Sequence, residues 1–421
     1  MIDPKVFVTT MQMKINIQSL AIICFVTMNQ SALAFDDDKT ISDIHLKDES
    51  FLDINAHQFR KSLDMIWINT LNGWRTAGGS VSTDRLYLQN EVRLQRHLSR
   101  VLNFGMELEQ ENFYAKKPMP LPLLFADVYP HPTQDIGISV IGSPAYDKRQ
   151  GDFGYAITFG RRPTQYSRFS WLMVDKFYND KNEFDDSYYE KYGRTLRLEG
   201  VSRLKQGWDI YYDLKKESPM DFIFDNQTSR FQHESYDYKV NLIYYLSAKR
   251  FAGVNVRTLN VDKHLQESTS DEGQKIDSHM LDIYWVDTVS MNSGSLGNGE
   301  LTVGFRYDAF TERLRDYITQ SNSYDFELTT WQAYSLLHQS YTLHQAWELG
   351  LYLAWSERSR QYLASSSNEF DDSGIQAKLK TSWQYHSIDK SSVLLISMTF
   401  NLDDLIDDPG DGGGVYFQSL F

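Results

Sequence analysis

The chain has 421 residues, of which 23% are charged and 14% aromatic, and its formal net charge is −14 at pH 7. So acidic a chain repels phosphate groups, which argues against nucleic acid as a partner. Aromatic residues are too frequent for a disordered chain, although the mean hydropathy of −0.47 is that of a polar protein.

Residues 1–34 have the pattern of a secretory signal peptide. Lys14 supplies a short basic region, residues 19–28 form an apolar core, and Ala32-Leu33-Ala34 fits a cleavage site. Met13 would be a more ordinary start for such a signal than the first methionine. We therefore expect an exported protein whose mature chain begins at residue 35.

The chain has a single cysteine, Cys24, which lies within the predicted signal peptide. The mature chain then has no cysteine, which excludes a disulfide scaffold, a cysteine nucleophile and a thiolate metal site. Residues 35–62 are acidic and show no clear period, and we interpret them as a short periplasmic segment. No motif for a cofactor is present, and we expect none.

From residue 63 to residue 421, apolar and polar residues alternate with period two, the pattern of a strand with one apolar face. The clearest runs are residues 208–215, 301–308, 347–355 and 375–383. A tilted strand of about 9–11 residues is long enough to cross a bilayer. Trp347 and Trp355 bracket three leucines, as expected of residues at the two membrane interfaces.

The segments between these runs alternate in length. The long ones are 179–186, 218–233, 264–275, 312–323, 360–372 and 402–414. The short ones are 163–165, 202–205, 249–250, 340–343 and 386–389, and 291–297 is intermediate. Membrane barrels have short periplasmic turns and longer extracellular loops. A soluble β-sandwich is the alternative, but it has no reason to keep this alternation.

The N-terminal third of the alternating region is less regular. Its predicted strands are 65–74, 86–94, 102–108, 121–129 and 134–142, with a tight turn near Ser99. Counting all of them gives about 18 strands. If 65–74 and the proline-flanked 121–129 lie outside the sheet, the number is about 16, because proline is tolerated only at strand ends or bulges.

The end of the chain resembles the terminal strand of Gram-negative outer-membrane β-barrel proteins of the porin and exporter class. Val415, Phe417 and Phe421 share one face, and the chain ends on Phe421. The resemblance implies a transmembrane antiparallel up-and-down β-barrel in the cell outer membrane. It implies contact with outer-membrane lipid and lipopolysaccharide, and recognition of the last strand by the outer-membrane insertion machinery. A rival terminal strand ends on Phe400.

Charged residues on the polar face of the alternation are predicted to line the lumen. The acidic candidates are Glu91, Glu107, Glu109, Glu199, Asp209, Asp213, Asp282, Asp308, Glu327 and Glu348. The basic candidates are Arg85, Arg93, Arg197, Lys239, Arg306, Lys378 and Lys380. Two interpretations stay open: a mild preference for cations, or charges that pair across strands and stiffen the wall.

The function predicted from this pattern is a channel that passes small polar solutes or exports a polar polymer such as a polysaccharide. The alternatives are an outer-membrane hydrolase acting on lipid or peptide, and a plugged structural or adhesion barrel. His338 and Ser340 weakly resemble a hydrolase pair, but their neighbours do not complete the pattern, and we assign no catalytic residue. The acidic residues between 403 and 411 predict a solvated loop, with calcium binding as the alternative.

Overall fold

The computed structural model describes residues 73–82, 85–86, 89–97, 99, 101–111, 123–131, 135–144, 151–161, 165–176, 187–204, 207–224, 228–247, 249–266, 271–293, 297–316, 323–363, 370–388, 392–403 and 410–420. In parts of these ranges, including 73–97, 106–111 and 410–420, only the backbone is described. The predicted signal peptide, the periplasmic segment 35–62, the start of the strand at 65–74, most of the acidic loop and Phe421 lie outside the described residues.

The described chain forms one antiparallel sheet of twenty strands. The first ten are β1 Gly73–Ser82, β2 Arg85–Leu86, β3 Gln89–His97, β4 Leu102–Glu111, β5 Leu123–Val128, β6 Ile136–Pro144, β7 Gly151–Arg161, β8 Gln165–Met173, β9 Tyr188–Lys191 and β10 Arg194–Leu204. The others are β11 Trp208–Ile223, β12 Arg230–Ser247, β13 Arg250–Gln266, β14 Asp271–Ser293, β15 Gly297–Asp316, β16 Tyr324–Ser340, β17 Gln345–Tyr362, β18 Phe370–His386, β19 Ser392–Asn401 and β20 Gly410–Leu420. The prediction of an all-β antiparallel up-and-down sheet is confirmed.

Strand order in the sheet follows the chain, apart from two short strands. β2, with two residues, pairs with β1, and β9 pairs with the far end of β11. β8 therefore pairs directly with β10. The last strand pairs with the first, from Gly73 opposite Leu420 to Ser80 opposite Gly414.

The strands of the N-terminal third agree with the sequence in part. The predicted strand at 121–129 is present as β5, between β4 and β6. The tight turn is also present, because the Ser99 hydroxyl accepts hydrogen bonds from the amides of Val101 and Leu102 at 3.2 and 3.1 Å. The predicted strand 86–94 was placed too early, since β3 ends at His97. β1 continues to Ser82. Its pairing with β20 shifts in register at the adjacent glycines Gly78 and Gly79, where the sequence resembles a turn.

Most of the predicted long connections are longer than those in the structure, because their ends belong to paired strands. Within the predicted connection 264–275, residues 264–266 and 271–275 are paired strand, and β14 reaches 23 residues. The composition of these stretches resembles that of a loop, although their backbones continue the antiparallel ladder. The strand ends around the short connections agree better with the sequence, since β12 ends at Ser247 and β13 begins at Arg250. The strands β11–β18, with 16 to 23 residues each, thus form a tall wall.

Glycine and tyrosine lie directly opposite each other at two positions in the tall wall. Gly253 is the partner of Tyr284, and Gly304 is the partner of Tyr334. A Cβ atom on either glycine would overlap the tyrosine ring. Tyr334 also stacks on Tyr352, with ring centroids 5.7 Å apart. Each ring therefore lies across its neighbouring strand and covers the glycine.

We predict that Gly304→Ala destabilises the protein by about 1–3 kcal/mol, because the added methyl group displaces a ring that is held by a second ring. Urea unfolding followed by tryptophan fluorescence measures the change. Gly374→Ala is the matched control, because a Cβ at Gly374 meets nothing within 4 Å. Equal unfolding midpoints for the two variants would contradict the proposed packing.

Candidate functional site

The two faces of the sheet have the reverse of the usual polarity of a water-soluble protein. On β14, Ile283 and Trp285 are 43% and 38% exposed, whereas the neighbouring Asp282 is fully buried, at 0% exposure. We call the face that carries Ile283 and Trp285 the outer face, and the face that carries Asp282 the inner face. A water-soluble sheet would expose the charge and bury the apolar side chains.

The outer face carries an apolar band across β14–β18. On β17 the band runs from Trp347 to Trp355, and the leucines between them are 42–49% exposed. Eight residue steps along a strand span roughly 27 Å. At the lower edge of the band, towards the short connections, Trp347 pairs with Trp383. At the upper edge, towards the long connections, Trp355 pairs with Trp331. The nine residues from Trp347 to Trp355 are thus about the number that a tilted strand needs to cross a bilayer.

Beyond the upper edge of the band, the outer face becomes polar. Towards the long-connection end, the row formed by His279, Thr311 and Glu327 is followed by the row formed by Asp277 and Arg313. The prediction that Glu327 belongs to the inner face is therefore wrong. Glu327 is exposed on the outer face of β16, just above the band.

The inner face at the same height carries a group of buried apolar side chains. They are Leu259, Val261, Leu314, Tyr324, Phe326 and Leu328, and we call them the upper inner cluster. β16 carries its apolar side chains on the inner face near Phe326 and on the outer face near Trp331. The hydrophobic alternation changes phase within this strand, which is why the sequence assigns Glu327 to the wrong face.

A buried ion-pair group lies on the inner face at the height of the band. Arg306 Nε donates to Asp282 Oδ1 at 2.9 Å, and the same guanidinium pairs with Asp308. The two carboxylates face each other across β14 and β15. All three residues are at most 3% exposed. The register therefore brings together three of the predicted residues.

A second ion-pair group joins β5, β8, β10 and β11. Arg197 donates to both carboxylate oxygens of Asp213 at 2.8 Å and lies 3.2 Å from Glu199. Arg168 lies 3.8 Å from Glu199 and 3.6 Å from Asp127. The sequence analysis missed Arg168 and Asp127. The alternation of β8 could have identified Arg168, whereas Asp127 follows prolines that obscure the period.

The other predicted residues with described side chains are also partnered or buried on the inner face. Lys239 pairs with Asp237 at 3.3 Å, and Glu348 lies 3.9 Å from Lys380. Asp209 accepts a hydrogen bond from the Tyr211 hydroxyl at 2.9 Å, and Lys378 is buried. The predicted residues whose side chains lie outside the described parts, although their backbones are strand, are Arg85, Glu91, Arg93, Glu107 and Glu109.

A buried carboxylate lies next to the upper inner cluster. Glu312 is 1% exposed, and it accepts hydrogen bonds from the Tyr324 hydroxyl at 2.7 Å and from the Ser278 hydroxyl at 3.2 Å. The Arg360 guanidinium lies 4.1 Å from the Tyr324 ring centroid. These contacts hold the Tyr324 ring against its neighbours.

The described side chains include no cluster suited to a metal ion. Within the described ranges, no group of three or more His, Cys, Asp or Glu side chains could hold one.

His338 and Ser340 lie on β16, where the register partner of His338 is Glu348. Within the described part of the chain, no helix is long and apolar enough to cross a membrane.

We predict that Arg306→Met destabilises the protein by about 3–5 kcal/mol, because it removes the buried guanidinium that pairs with two buried carboxylates. Lys249→Met is the control, since Lys249 and its partner Glu300 are both exposed and such pairs contribute about 0–1 kcal/mol. Urea titration of both variants measures the difference. A loss for Arg306→Met as small as that for the control would show that the buried pairs do not support the wall.

Comparisons with known proteins give a similar structure but no family. No family model matches the chain, and no curated protein matches it. A solved structure described as a bacterial polysaccharide outer membrane secretin is 12% identical. The match covers 84% of this chain and 99% of that chain, with a TM-score of 0.37. What this chain does must therefore be inferred from its own geometry.

Proposed function

We propose that this chain is a β-barrel of the cell outer membrane that forms a channel for small polar solutes or for a polar polymer such as a polysaccharide. The observation that carries the proposal is the apolar band on the outer face, opposite buried ion pairs on the inner face. Lipid is the environment that favours an exposed apolar face between two rows of aromatic side chains. Outer-membrane lipid and lipopolysaccharide are then the partners of the outer face.

The strand pairings support a closed barrel. The twenty described strands less the two short ones, β2 and β9, leave 18 strands that could cross the membrane, and β20 pairs with β1. Closure removes the unpaired edges that a bilayer would not tolerate. Recognition of the last strand by the insertion machinery stays a prediction, because Phe421 lies outside the described residues.

The inner face supports passage of a polar substrate. Its charges lie close to opposite charges, so we expect at most a mild preference for cations. Near the short-connection end, the inner face carries the half-buried aromatic residues Tyr211, Tyr245 and Phe251. Tyr245 and Phe251 have ring centroids 5.8 Å apart. Aromatic rings beside hydrogen-bonding groups would suit the sugar rings of a polysaccharide.

We predict that Leu351→Arg destabilises the protein folded in lipid vesicles by about 2–4 kcal/mol, the cost of arginine at the centre of a lipid-facing belt. Gln361→Arg is the control, because Gln361 is exposed on the same face of β17 but above the band. Urea titration in vesicles measures both variants. Equal effects would argue against a membrane around the band.

We predict that the protein gives discrete conductance steps in a planar bilayer, and that a soluble neutral polysaccharide reduces them. Tyr245→Ala should weaken this block, because it removes one ring of the inner aromatic group. Tyr244→Ala, on the outer face of the same strand, should leave the block unchanged. A barrel that never conducts would favour the plugged structural barrel, and cleavage of a lipid or peptide would favour the hydrolase.

A further inference from the structure

We infer that a strip of charged side chains on the inner face of β11 and β12 binds an uncharged, hydroxyl-rich polymer along its length. The strip consists of Asp209, Asp213, Lys215, Glu217, Asp237 and Lys239, and we call it the inner polar strip. The inference rests on the proposed function, and it names the class of substrate and the part of the wall that contacts it.

The inner polar strip is more accessible than the wall on either side of it. Its side chains are 15–46% exposed. On β8 and β10, the side chains of Arg168 and Glu199 are only 2% and 6% exposed. On β13 and β14, Leu259 is buried and the Asp282 side chain is fully buried. A substrate on the inner face can therefore reach the strip but not the charges beyond it.

The strip has no excess of one charge. Each of its carboxylates lies within 3.8 Å of an arginine or lysine nitrogen. A polymer with many charges of one sign would be attracted by some of these groups and repelled by the others. Uncharged hydroxyl groups bond to both kinds, since carboxylates accept hydrogen bonds and ammonium groups donate them. The balance of charge thus favours an uncharged polymer.

The strip also continues the aromatic group at the short-connection end. Tyr211 lies between Asp209 and Asp213 on the inner face of β11, and its hydroxyl donates to Asp209 at 2.9 Å. Inward residues recur at every second position, so the five from Asp209 to Glu217 present hydrogen-bonding groups over roughly 27 Å. A chain of sugar rings could therefore make repeated contacts along β11, with Tyr211 adding an aromatic surface.

Two adjacent lysines on opposite faces of β11 provide a matched test. Lys215 belongs to the strip, and Lys216 is exposed on the outer face. Lys215→Cys and Lys216→Cys are each made with Cys24→Ser, so that each protein has one cysteine. A shift in electrophoretic mobility on heating verifies that both are folded.

We expect excess dextran, an uncharged polysaccharide, to slow the labelling of position 215 by a water-soluble maleimide at least several-fold. Labelling of position 216 should not change, because that side chain lies on the other face. The same rates at position 215 with and without dextran would overturn the inference, and so would equal slowing at the two positions.

The class of polymer is tested by block of the conductance in planar bilayers. We expect dextran to reduce the conductance more than dextran sulfate or a cationic dextran does at the same concentration. Raising the salt from about 0.1 M to about 1 M shortens the Debye length from about 10 Å to about 3 Å and should leave the block by dextran unchanged. A charged polymer that blocks more strongly than dextran would overturn the inference.

The two measurements separate the strip from the channel. Labelling is measured on the folded protein in detergent and needs no current. Conductance steps without protection of position 215 would overturn the strip and leave the channel intact. Protection of position 215 without any steps would support the strip and overturn the proposed channel.

Discussion

Cross-strand register is the constraint on which the other features of this structure depend. Successive side chains of a strand point to opposite faces, so a slip of one residue would exchange the two faces completely. In the observed register, Trp347 meets Trp383 on the outer face. The same register places Asp282, Asp308 and the guanidinium of Arg306 together on the inner face. A slipped strand would lose its contacts on both faces at once.

The buried charges make this register more specific than apolar packing alone would. A carboxylate without a partner is costly in a buried site, whereas an apolar side chain that shifts by one row still finds other apolar atoms. The buried Glu199 lies close to both Arg168 and Arg197, and Arg197 also pairs with the partly exposed Asp213. These residues come from β8, β10 and β11, so each strand's position depends on the next. The ion pairs thus fix the alignment of the wall whether or not they also influence transport.

Much of the wall could be predicted from the sequence, and the exceptions have physical causes. β17 was predictable because its exposed side chains, from Trp347 to Trp355, are all apolar over the height of the band. β16 was not, because its apolar side chains change face along the strand. The ion pair of Arg168 with Asp127 joins residues far apart in the chain. Only the order of strands in the sheet brings those two residues together.

The proposed membrane position gives the change of phase in β16 a simple physical cause. Within the band, the outer face would meet lipid, so the strand presents Trp331 outward. Above the band, the outer face would meet water, so the same strand presents Glu327 outward and Phe326 inward. Each half of the strand follows the ordinary rule for its own surroundings, and the boundary between the halves lies at one row of the sheet. The position of the phase change therefore coincides with the upper edge of the proposed membrane.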